Sequence, residues 1–232
     1  MTIKQCISVF IILAAITPAY ANDPNFQNVN EQKLIAVLKS GAPLYDKTQA
    51  CQKLAVFGSK KSVPALAGLL GDKALGDYAR IALEPMKHPG VDEAFRSAAG
   101  KLKGRLLAGV ITSIGVRRDA KAIATLKSLA SDKNNTIARS ALFALGRIAS
   151  DESVAAVMQT LDKGRAELRT DAADAALAAA RIMLDAKQTE ASAKIYDTVG
   201  KSAVPAYVQT AAVYGALVAR GVKGLPQLAQ LL

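Results

Sequence analysis

A pattern that returns every 28 to 32 residues constrains this chain more than anything else in it. Four segments can be written one above another, Ala50 to Asp72, Ala79 to Val91, Ile111 to Asp132 and Ala138 to Leu161, with Val63, Val91, Ile123 and Val154 marking the repeat distance. Self-similarity at such a period marks stacked supersecondary units, each too small to bury its apolar face without its neighbours. Each copy reads as two helices. In the first copy Ala50, Leu54 and Phe57 recur at helical steps and are expected on one buried face. Gly58 is expected to end that helix in a left-handed turn. Val63, Leu66 and Leu70 then form the stripe of a second helix running to about Asp72, with Pro64 near its start, where a missing N–H does no harm.

Neither helix of a pair is long enough to stand alone in water, so the pairs must stack. Composition agrees: 5% aromatic residues and no tryptophan suit thin, alanine- and leucine-rich helices lying close together. The expected fold class is all-α, an armadillo-like right-handed α-solenoid of stacked antiparallel helix pairs. The pairs fall at about 46–72, 75–102, 104–132, 136–163, 167–200 and 205–232, with an N-terminal capping helix over 31–40. The pair from Glu167 changes character. Asp174 to Leu184 is alanine-rich, and Glu190 to Val199 carries Ile195 and Tyr196, as in a tetratricopeptide-type pair. The chain ends on Leu231-Leu232 without a polar closing helix, which implies either a self-association surface or a reading frame shorter than that of its relatives.

These residues resemble the short HEAT-like repeats named after the phycobilisome lyases. The resemblance is carried by Ala50 to Asp72, Tyr78 to Pro85 and Leu102 to Lys121, the last with Ser113-Ile114-Gly115-Val116-Arg117-Arg118-Asp119-Ala120, and it extends over about Leu34 to Leu232. It is closest to exported HEAT-repeat proteins of planctomycete and verrucomicrobial type. It implies a repeat-containing binding protein and, as an alternative, an accessory or chromophore-handling protein related to the lyases.

The N-terminus reads as a leader. Lys4 precedes an apolar stretch from Ile7 to Ile16, and Ala19-Tyr20-Ala21 has the small-x-small form of a cleavage site. Residues 1–21 are therefore expected to be a signal peptide cut after Ala21, residues 22–30 a loose polar segment, and the mature protein periplasmic or secreted. No later run reaches the ~20 apolar residues needed to span a bilayer. Cys51 would then be the sole cysteine of the mature chain, expected inside a helix, with pairing to another chain as the alternative.

Catalytic patterns are thin. His88, the only histidine, sits in the turn Lys87-His88-Pro89-Gly90, and a dyad with Cys51 has only adjacency of their repeats in its favour. Zinc ligands are too few, and no phosphate loop is present. Asp171 and Asp174 share a helical face, yet in a polar, alanine-rich helix nothing is expected to drive their pKa values apart. The expectation is no enzyme and no cofactor.

Charge says more. The formal net charge is +11. The turns inside successive repeats carry Lys60 and Lys61, then Lys87 with His88, then Arg117, Arg118 and Lys121, before Asp151 and Glu152 break the series. Such an edge suits an acidic protein or an anionic polymer. Nucleic acid is not expected, because aromatics for base stacking are scarce. Lys101, Lys103 and Arg105 form a second cluster, expected at the opposite edge. The face of the second helices is the other candidate surface. Phe95, Lys127 and Met158 hold equivalent places there, and an exposed apolar column would favour a protein partner.

Overall fold

The computed structural model describes residues 30–224, which contain twelve α-helices, three short 3-10 helices and no strand. The expected signal peptide, the loose segment before Asn30 and the last helix over 225–232 lie outside the described residues. The chain divides into two compact units, one ending at Ala94 and the other beginning at Phe95.

The first unit holds α1 (Glu31–Lys39), α2 (Leu44–Phe57), α3 (Val63–Ala67) and α4 (Gly76–Leu83), and α5 (Pro89–Ala99) begins within it. Asn30 caps α1, its side-chain oxygen accepting from the Lys33 N–H at 3.2 Å. α1 packs on α2, and α2 and α3 both pack on α4. Leu54, Leu66, Ala79 and Leu83 are wholly buried between them, with Ala50 and Cys51 beside Leu54 on the inner face of α2. Three sequence expectations are corrected here. Phe57 is 39% exposed, so the inner stripe of α2 is Ala50, Cys51 and Leu54. α3 is helical for five residues only; turns carry the chain on to Gly71, and Leu70 is buried from a turn rather than from a helix. Gly58 does end α2, but its φ of −66° and ψ of 141° are ordinary extended backbone. Its lack of a side chain matters for space, since a methyl carbon there would stand 2.4 Å from both the Leu54 carbonyl oxygen and Met86 Cε.

The second unit takes up the end of α5 and continues through α6 (Gly104–Val116), α7 (Ile123–Leu129), α8 (Asn135–Ile148), α9 (Asp151–Lys163), α10 (Arg169–Asp185), α11 (Thr189–Gly200) and α12 (Ala206–Arg220). The first helices of successive repeats, α6, α8, α10 and α12, each pack on the next. The second helices α7, α9 and α11 lie against them and fill the other layer. α7 inserts Ile123 and Leu126, with Ala130 following at its C-cap, and α9 inserts Val154, Val157 and Leu161, each at steps of three and four residues. α10 contributes six buried alanines, which lets its neighbours come close.

Two glycines set that closeness. A methyl carbon on Gly115 of α6 would lie 2.5 Å from Ala144 Cα of α8, and one on Gly146 of α8 would lie 2.4 Å from the Ala175 carbonyl oxygen of α10. The first helices α6, α8 and α10 each end on a non-glycine residue in the left-handed region, Arg118 at φ 54°, Ala149 at φ 54° and Lys187 at φ 66°, and α12 ends on Gly221 at φ 54°. The turn closes the open carbonyls behind it, as the Asp119 N–H donates to Ile114 at 3.2 Å and the Gln188 N–H to Met183 at 2.9 Å. α9 starts on a reciprocal cap between Ser150 and Ser153, with Asp151 and Glu152 at the positive end of its dipole. Those two acids, which interrupt the basic series in the sequence, thus serve the start of a helix.

Candidate functional site

The six expected cations divide between the units, three in each. In the first unit Lys60 and Lys61 are exposed in the turn after α2, and Lys87 is exposed just before α5. Glu31 reaches the same turn from the start of α1. It accepts from the Ser59 N–H at 2.7 Å, from Ser59 Oγ at 2.9 Å and from Ser62 Oγ at 2.5 Å. Desolvation acts to raise the Glu31 pKa. The hydrogen bonds from Ser62 and Ser59, with the charge of Lys61, outweigh it and hold the carboxyl below the usual range. This tie was missed in the sequence, where Glu31 is one acid among many.

In the second unit Arg118 and Lys121 are exposed and Arg117 is half-buried. Burial first, and then the charge of Arg118, lower the pKa of Arg147 in the last turn of α8. Asp119, buried between them in sequence, caps the following 3-10 turn by accepting from the Lys121 N–H at 3.1 Å and pairs with Arg96. Lys101 and Lys103 are exposed in the turn from α5 to α6, as is Arg105 at the start of α6.

The second-helix face differs from its expectation. Phe95 is fully buried and belongs to the core. The reason is a roll of the helix. α5 buries Val91, Phe95 and Ala99 at steps of four, whereas α7 and α9 bury residues at steps of three and then four, which turns the equivalent Lys127 and Met158 outward. Lys127 is exposed, 3.4 Å from Glu152, and Met158 is half-buried. Both line hollows. One, of about 190 Å³, is formed by Lys127, Ala130, Ser131, Ala156, Gln159, Thr160, Lys163 and Gly164. The other, of about 510 Å³, is formed by Ala155, Met158, Gln159, Leu161, Asp162, Lys163, Thr198 and Ser202. Gln159 and Lys163 line both, so the two hollows adjoin across α9. Short side chains such as Ala155, Ala156, Ser131 and Ser202 floor the groove, and a backbone can approach such a floor. Gln159 and Lys163 could have been found in the sequence, since they follow Met158 on the side of α9 left over by Val154, Val157 and Leu161. A larger hollow of about 610 Å³ lies between α11 and the end of α12, beside Glu190, Lys194 and Arg220.

The nucleophile and acid–base candidates carry little chemistry. Burial pushes the Cys51 thiol up to about 11, which leaves it protonated and unreactive near neutrality. His88 Nδ1 is engaged in accepting from the Gly90 N–H at 3.1 Å. The environments of Asp171 and Asp174 do differ, contrary to expectation. Arg139 Nε of α8 lies 2.9 Å from Asp171, while desolvation and then the charge of Asp171 push the Asp174 carboxyl upward. Asp174 nevertheless meets solvent, which screens the effect. Among the described residues no cluster of three His, Cys, Asp or Glu side chains is placed to hold a metal ion, and no helix is long and apolar enough to cross a membrane.

Helix pairs stacked first helix on first helix define an α-solenoid repeat protein. The repeats are HEAT-like: the family model described as HEAT repeats matches residues 93–178. Among solved structures, the chain is similar to an engineered protein whose crystal structure was determined as a target of the Northeast Structural Genomics Consortium. The two share 18% identity with a TM-score of 0.50, over 82% of this chain and 96% of that one, a likeness of fold alone. No curated protein matches the chain.

Proposed function

We propose that the chain is a non-catalytic scaffold that binds another protein, and that the groove across α7, α9 and α11 takes an extended segment of that partner. The observation that carries the reading is the pair of adjoining hollows sharing Gln159 and Lys163 on the second-helix face. An extended chain needs a long, shallow channel with polar groups for its backbone and a few places for side chains. Gln159, Ser131 and Ser202 supply the first; Met158 with Ala155 offers an apolar seat, and Lys163 a charge for an acidic side chain. HEAT repeats serve in general as protein-binding scaffolds, which supports the same reading. The leader-like pattern of Lys4, Ile7 to Ile16 and Ala19-Tyr20-Ala21 supports a place of action outside the cytoplasm.

The test is selection of a displayed library of extended peptides on the whole protein, followed by anisotropy with the winners. Enriched peptides should combine an acidic and an apolar residue. Met158→Glu and Lys163→Glu should each weaken their binding at least tenfold while leaving the helical circular dichroism unchanged. Binding indifferent to both substitutions would sink the proposal.

A further inference from the structure

The outer face of α12 is unlike that of any other helix in the second unit. Tyr207, Tyr214 and Val218 are 69%, 70% and 46% exposed, and with Ala211 they form one stripe at steps of four, three and four residues. The adjacent face of the same helix is buried through Val208, Ala212, Gly215, Ala216 and Ala219, where Gly215 lies against the ring of Tyr196. α12 is therefore apolar on both of these faces. Its one charged residue, Arg220, sits in the last turn and is paired with Asp197. Gln209, Thr210 and Arg220 fall on the remaining side, so the stripe is a bounded exposed apolar patch, and such patches mark interaction sites.

We propose that this stripe binds the same stripe of a second copy, two α12 helices packing antiparallel about a two-fold axis. The order of sizes supports this occupant. The positions 207, 211, 214 and 218 are symmetric about their midpoint. An antiparallel partner therefore sets Tyr207 over Val218 of the second copy, and Ala211 under its Tyr214. Each large side chain meets a smaller one, and the arrangement repeats on the other side of the axis, as an isologous contact requires. Charge supports it as well. In a chain of net charge +11 most surfaces repel their own copy, but the stripe brings no charge to the contact. The exposed area of the four residues with Val222, which is 82% exposed, amounts to about 500 Å² per copy. The resulting total of about 1,000 Å² lies at the small end of specific interfaces, the range of weak and reversible association.

Sedimentation equilibrium of the whole protein across a range of concentration tests this directly. The expected result is a reversible dimer, as strong at high salt as at low salt. Tyr207→Ala should raise the dissociation constant at least tenfold. The swap Tyr207→Ala with Val218→Tyr restores large against small and should recover most of the loss, which no general loss of apolar surface would do. Because all four side chains face outward, circular dichroism should be unchanged in every variant. A chain that stays monomeric at millimolar concentration would overturn the proposal, since residues 225–232 or a different protein would then be what meets the stripe. So would a dimer indifferent to Tyr207→Ala, or a single variant that the swap does not rescue.

Discussion

The two units carry the same repeat and hold their helices together differently. In the first, α3 and α4 are short, and bulky side chains such as Leu54, Leu66 and Leu83 fill the space between them. A carboxylate, Glu31, then ties α1 to the turn after α2 from its surface. In the second, helices of 13 to 17 residues form the first layer from α6 to α12, and glycine against alanine brings their backbones together at Gly115 and Gly146. Both units bury bulky apolar side chains, Ile111, Leu142 and Leu145 among them in the second, and what the second adds is the close approach of its backbones. A repeat period does not dictate which of these its seams will use.

That contrast can be broken at four places, from the largest effect to the smallest. Leu54→Glu puts a charge where no surface is exposed. It should cost at least about 4 kcal/mol, read as lost helical signal from the first unit. Gly146→Val places branched carbon where even a methyl carbon finds Ala175 at 2.4 Å, and should lower stability by about 2–4 kcal/mol in urea melts. An effect below about 0.5 kcal/mol there would show that the helices part easily.

The third concerns acid, and the units should respond with opposite sign. The Glu31 pKa is lowered in the fold, so its contribution is present above the unfolded value and fades as pH falls through the folded one. Glu31→Gln should cost about 1 kcal/mol at pH 7 and progressively less as the pH falls toward 3. The Asp174 pKa is raised, so its charged form weighs against folding at neutral pH, and the penalty disappears below the unfolded value. Asp174→Asn should raise the melting temperature at pH 7 and leave it unchanged near pH 3. Equal responses at both pH values would show that neither shift is linked to folding. The smallest effect belongs to Ala149→Gly. Its φ of 54° suits glycine better, and the variant should gain about 0.5–1 kcal/mol, read as a higher melting temperature.

Much of this was legible in the sequence. Val63, Ile123 and Val154 fixed the second helices because apolar residues at helical steps leave few other arrangements, and Cys51 was correctly expected to be buried. Gly58 was read correctly as a stop but for the wrong reason, because a sequence does not distinguish a glycine that needs a positive φ from one that needs room. Phe95 was misplaced because aligned repeats are not rolled alike. Equivalent numbers put it with Lys127 and Met158, but the small Ala94 and Ala98 let α5 turn its bulkiest residue inward. The ties of Glu31 to Ser62 and of Arg96 to Asp119 join residues 31 and 23 positions apart with no periodic mark. The groove was half legible: Lys127 and Met158 stand out in the sequence, and Gln159 and Lys163 share the side of α9 left over by its buried stripe, but that this side meets a hollow on either hand shows only once α9 is seen in its layer.

The glycine seams also bear on how the second unit deforms under load. Where Gly115 meets Ala144 and Gly146 meets Ala175, backbones touch with no side chain between them to compress or rotate. The seams of α6 with α8 and of α8 with α10 are thus closely fitted. The opposite layer, with its open hollows along α9, has slack. A beam that is stiff on one side and compliant on the other bends about the stiff side. In the groove proposed above, a thicker partner segment would then be expected to spread α7, α9 and α11, with the glycine seams as the pivot.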